Sequence, residues 1–94
     1  MLFERAEMVA KDGMADEFAG VLANKAVPIL AATPGVKSVQ LGRGVENPDK
    51  FMLLVHWENM EAHTAFSKSA TFGPFREVLF PYSKGGGMEH FNIG

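Results

Sequence analysis

The sequence predicts an α+β fold of the ferredoxin-like βαββαβ type, a four-stranded antiparallel sheet with helices on one face that pairs as a dimeric α/β barrel. Three observations carry this. Apolar residues recur at helical spacing in two separated segments, and four shorter segments read as strands around them. One of those strands, FMLLVHW at 51–57, is apolar on both of its faces. Residues 1–94 form a single domain, since a chain this short holds one core and not two.

The elements follow in order. LFERAEMVA at 2–10 sets Phe3, Met8 and Val9 among charges and fits a half-exposed strand, closed by a turn at Lys11-Asp12-Gly13. Asp16 precedes a helix on which Phe18, Val21, Leu22, Ile29 and Leu30 share a face. Pro28 removes a backbone donor there and kinks the helix or splits off its last turn. After Thr33-Pro34-Gly35, VKSVQLGRG at 36–44 reads as the second strand, and VENPDK at 45–50 as a hairpin connection. The third strand is 51–57. Asn59 then caps a short helix, MEAHTAFSK, and a second helical piece over 70–82 groups Phe72, Phe75, Val78, Leu79 and Tyr82. KGGG is expected to be a flexible loop, and MEHFNI at 88–93 the last strand.

With right-handed crossovers this order closes into one sheet covered by helices on one side. A sheet so covered should alternate apolar and polar residues in its strands. Strand 51–57 does not: Phe51, Leu53, Val55 and Trp57 fall on one face, and Met52, Leu54 and His56 on the other. The same face of a second copy is the simplest cover for the second set, because an exposed patch of that kind is unusual on a monomer. A homodimer is therefore expected.

Composition removes several classes of function. There is no cysteine, so thiolate metal sites, cysteine nucleophiles and dithiol chemistry are excluded. Nine basic and eleven acidic residues are dispersed along the chain, with no cationic run to bind nucleic acid or an anionic membrane. No apolar stretch approaches the roughly 20 residues of a membrane span, and MLFERAEMVAKDG lacks a signal-peptide core. The sequence reads as that of a cytoplasmic protein. No G-x-S-x-G motif is present, and the glycines at 85–87 neither follow a strand nor open a helix as a phosphate cradle does.

His56, Glu58, Glu61 and His63 look like metal ligands in the text, yet their spacing matches no motif that sets two histidines on one ion. The glutamates suit a helix start, where the dipole favours them. No metal site is expected from these residues, and whether the fold brings His90 near them is open. The aromatic residues Phe66, Phe72 and Phe75, with Trp57 just before them, read singly as core. Collectively they fit a flat apolar pocket edged by His56, His63, His90, Arg76 or Tyr82, a setting for a planar aromatic ligand. Histidine is the natural acid or base there.

The stretch PGVKSVQLGRGVENPDKFMLLVHWENMEAHTAFSKSATF resembles the antibiotic biosynthesis monooxygenase domain. The most specific parts are the Pro34-Gly35 turn, Asn47-Pro48-Asp49, the strand end Trp57-Glu58, Glu61-Ala62-His63, and the closing Glu89-His90-Phe91. The resemblance implies a dimeric α+β barrel and an oxygenase that uses no cofactor and no metal on an electron-rich aromatic, a quinol or an anthrone. It makes His63 the first candidate for acid/base work, His90 the second, and Trp57, Phe66, Phe72 and Phe75 the substrate-binding set. Heme-degrading relatives need an asparagine, a tryptophan and a histidine where this chain has Ala6 or Glu7, Phe66 and Arg76, so heme is not expected. Rival readings are a non-enzymatic dimeric barrel that binds a small hydrophobic molecule or serves in a stress response, and an isomerase or lyase on the same barrel.

Overall fold

The computed structural model describes residues 1–94. In chain order the elements are β1 (Leu2–Ala10), α1 (Ala15–Val21), a π-helical turn (Leu22–Ala26), α2 (Val27–Ala31), β2 (Val36–Arg43), β3 (Lys50–Trp57), α3 (Met60–Ser67), α4 (Phe72–Leu79) and β4 (Ser83–Asn92). The strands form one antiparallel sheet in the order β2-β3-β1-β4, which is the ferredoxin-like topology expected from the sequence. None of the helices is long and apolar enough to cross a membrane.

The first helical segment passes Pro28 by a change of winding. A proline inside an α-helix removes a donor and crowds the carbonyl four residues back. Here a wide π turn runs up to Ala26, so Pro28 falls in the first turn of α2, where its missing N–H is least costly. Phe18, Leu22, Ala26 and Leu30 consequently line up on one buried face. They pack on Phe51, Leu53, Val55 and Trp57 of β3, each 1% exposed. Full burial of such side chains contributes about 1.5–3 kcal/mol apiece against the cost of ordering the chain.

Two starting points differ from the sequence expectation. Asp16 lies in the first turn of α1, after Met14 at the cap position. The Lys84–Gly87 segment is not a loop but the first half of β4, with Gly85, Gly86 and Gly87 paired to Val9, Met8 and Glu7. Low strand propensity argued against a strand here. Glycine is needed because the backbones approach so closely that a Cβ on Gly86 would overlap the Glu7 carbonyl oxygen.

The register divides the sheet into two faces. Leu2, Glu4, Ala6 and Met8 of β1 stand beside the buried β3 residues, under the helices. Phe3, Arg5 and Glu7 stand beside His56, Leu54 and Met52 on the face that no helix covers. Those last three β3 residues are half-buried, and Phe91 of β4 is 41% exposed next to Phe3. The charges among them pair with one another: Arg5 Nη2 with Glu89 Oε1 at 2.8 Å, and Lys50 Nζ with Glu7 Oε2 at 3.3 Å.

Candidate functional site

A cleft of about 630 Å³ opens between the β1–β4 side of the sheet and helices α3 and α4. Its wall is mainly apolar: Ala6, Met8 and Leu53 from the sheet, Phe66 from α3, and Phe72, Phe75 and Leu79 from α4. The buried end carries Glu4 and His63, whereas the exposed end carries Arg76, Phe80 and Lys84. The aromatic wall is held by edge-to-face contacts of Phe66 with Phe72 at 5.4 Å and with Phe75 at 5.5 Å.

His63 is placed by the way α3 begins. Asn59 is extended, and its side-chain oxygen accepts the Ala62 N–H at 2.9 Å, fixing the first turn directly after β3. Gly35, at φ +88°, lets the preceding turn press on this start: a side chain there would overlap the Ala62 Cβ, and its carbonyl accepts the Glu58 N–H at 2.7 Å. His63 therefore comes down over the edge of the Trp57 indole, with ring centroids 5.3 Å apart.

Glu4 is the residue that sequence reasoning missed. It is only 8% exposed, on the helix-covered face of β1 beside Val55 and His90. A buried carboxylate needs hydrogen bonds. The Trp57 Nε1–H donates one to Glu4 Oε1 at 2.9 Å. The Nε2 atoms of His63 and His90 face the same oxygen at 3.7 and 4.0 Å, too far for direct hydrogen bonds. The two imidazoles lie 4.3 Å apart, and His90 Nε2 is buried with no hydrogen-bond partner. Burial pushes the His63 imidazole below its ordinary pKa, with Glu4 opposing the shift and His90 adding to it. His63 is thus neutral at neutral pH and able to accept a proton.

The sequence-predicted residues separate into groups. His63, Phe66, Phe72 and Phe75 line the cleft, as does Arg76. Trp57 is 1% exposed and stands behind it, reaching it through Glu4. His90 joins the Glu4–His63 cluster from β4. His56 lies on the opposite face, stacked on Phe3 at 4.7 Å, and Tyr82 stacks on Phe18 at 5.8 Å. Ala6 and Phe66, two of the positions where heme-degrading relatives differ, form part of the cleft wall.

What the arrangement can do chemically is hold a flat apolar molecule against phenylalanine rings and present one of its polar groups to Glu4 and the His63 imidazole. Residues 1–78 match the antibiotic biosynthesis monooxygenase family. Bacillus subtilis YczJ, an uncharacterised protein, is 31% identical over 97% of this chain and 97% of its own. A Bordetella bronchiseptica protein, provisionally assigned as an antibiotic biosynthesis monooxygenase, superposes with a TM-score of 0.89 at 25% identity, over 99% of this chain and 96% of that one. SnoaB, a cofactor-independent oxygenase from Streptomyces nogalater, shares the fold with a TM-score of 0.85 at 18% identity, over 99% of this chain and 92% of its own. The chain belongs to the antibiotic biosynthesis monooxygenase family.

Proposed function

We propose that the protein is a cofactor-independent monooxygenase of small electron-rich aromatics, quinol- or anthrone-like, acting as a cytoplasmic homodimer. The observation that carries this reading is the apolar cleft with Glu4 and His63 at its buried end. Such a substrate supplies its own reducing electrons, so the protein has only to bind it, promote its deprotonation and stabilise the resulting anion. Phe66, Phe72 and Phe75 hold the ring system. His63 accepts the proton, and His90, which packs on the His63 ring outside the cleft lining, is the second polar group of the site. Trp57 contributes through its hydrogen bond to Glu4, which fixes the carboxylate beside His63.

For an anthrone the balance is as follows. One ring-methylene proton passes to His63, and the carbanion gives one electron to O₂. The carbon radical and superoxide then combine into a C–O bond. Reprotonation gives a hydroperoxide, and loss of water leaves the carbonyl. One oxygen atom ends in product and the other in water. General acid–base help of this kind contributes on the order of 100- to 10,000-fold. Exclusion of water by the phenylalanine wall strengthens the stabilising interactions. The oxygenase activity of the fold neighbour SnoaB lends this reading support.

The test follows oxygen consumption with anthrones and hydroquinones in chelator-treated protein. Wild type consumes oxygen with at least one of them, and His63→Ala slows turnover by a factor on the order of 100 or more. Absence of uptake across the panel, with aromatics still binding, points instead to a binding protein.

A further inference from the structure

The cluster at the end of the cleft has a property that the aromatic reading does not use. Glu4, His63 and His90 come from β1, α3 and β4, and one ligand atom from each lies within 4.8 Å of the other two. Their separations of 3.7 and 4.0 Å to the shared carboxylate oxygen are too long for hydrogen bonds. They are a few tenths of an ångström beyond the edge of a tetrahedron built on metal–ligand bonds of about 2.0–2.2 Å. His90 Nε2 is meanwhile a buried nitrogen with no partner, which folded proteins rarely leave uncompensated.

We infer that Glu4, His63 and His90 form a binding site for one divalent first-row transition ion, Zn²⁺ being the simplest. Two imidazoles and a carboxylate suit such ions, not Mg²⁺ or Ca²⁺, which prefer all-oxygen shells. Three protein ligands leave a fourth position, and Glu4 and His63 both line the cleft, so that position faces the aromatic wall. The Trp57 Nε1–H on Glu4 supplies the outer hydrogen bond that orients a ligating carboxylate. One Nε2 cannot both take a proton and ligate an ion, so metal loading and metal-free turnover exclude each other. That consequence rests on the proposed function, whereas the affinity for the ion does not.

The experiment is a calorimetric titration of ZnCl₂ into the chelator-treated full-length protein, with no aromatic present. Wild type binds one ion per chain with micromolar or tighter affinity. His90→Ala, at a half-buried position on an edge strand, and Glu4→Gln each abolish that binding. Trp57→Phe keeps all three ligands and weakens binding by about 10-fold. His56→Ala, on the other face of the sheet, leaves it unchanged. No saturable binding by wild type overturns the site. So does binding that survives His90→Ala and Glu4→Gln, or that is lost in His56→Ala.

Discussion

At the residue scale the proposed chemistry depends on Glu4, which was hidden in the sequence for a physical reason. In LFERAEMVA a glutamate between Phe3 and Arg5 reads as a solvated group on a half-exposed strand. Only the register, with Leu2 opposite Trp57 and Glu4 opposite Val55 and His90, shows that it faces inward. The place of His63 at the cleft agrees with the sequence expectation of an imidazole edging an aromatic pocket. The grouping His56, Glu58, Glu61 and His63 is not assembled, since His56 lies on the opposite face against Phe3, while Glu4, His63 and His90 are too scattered for any spacing motif. Trp57→Phe tests the carboxylate directly. It removes the indole donor, so Glu4 loses a charge-assisted hydrogen bond worth about 1.5–3 kcal/mol, and the smaller phenyl ring leaves a cavity that adds to the loss. Chemical denaturation should show a loss of at least that size. An unchanged midpoint would mean that Glu4 is satisfied without Trp57.

At the element scale, boundaries followed local chemistry where side chains decided them and failed where the backbone did. Asn59 was readable as a cap and is one, with its carbonyl oxygen on the Ala62 N–H. Pro28 announced an interruption, and its form is a π turn ahead of a separate last helix, with Leu22, Ala26 and Leu30 kept on the buried face. The glycines of β4 carry no side-chain signal, so their pairing with β1 could not be read from pattern. Asn59→Ala is expected to cost about 1 kcal/mol. In a domain of this size that lowers Tm by about 4–8 °C. Because α3 carries His63, oxygen uptake should fall as well, with the aromatic affinity set by Phe72 and Phe75 on α4 less affected. A variant that melts lower with full turnover would separate cap from site.

At the scale of the whole molecule, the open sheet face is what a single chain leaves unexplained. That β3 is apolar on both of its faces was visible in the sequence because strand period is strict, and the structure places Met52, Leu54 and His56 together away from the helices. The proposed dimer buries this face, and the internal pairing of Arg5, Glu7, Lys50 and Glu89 lowers the cost of covering its charges. Leu54→Arg puts an unpaired cation at the centre of that face. Light scattering should then give the mass of one chain where wild type gives two, and a wild-type mass of one chain would remove the dimer from the account. The cleft and the Glu4–His63–His90 cluster both lie on the other, helix-covered side, so loss of the dimer and loss of the chemistry are separable.

The most direct test follows the oxygen atoms. Chelator-treated wild type is given an anthrone under isotopically labelled dioxygen, and product and water are analysed by mass spectrometry. The proposed chemistry predicts one labelled oxygen in the new carbonyl and one in water, with label entering product far more slowly in His63→Ala. Product without label, or incorporation that needs added metal, would contradict it.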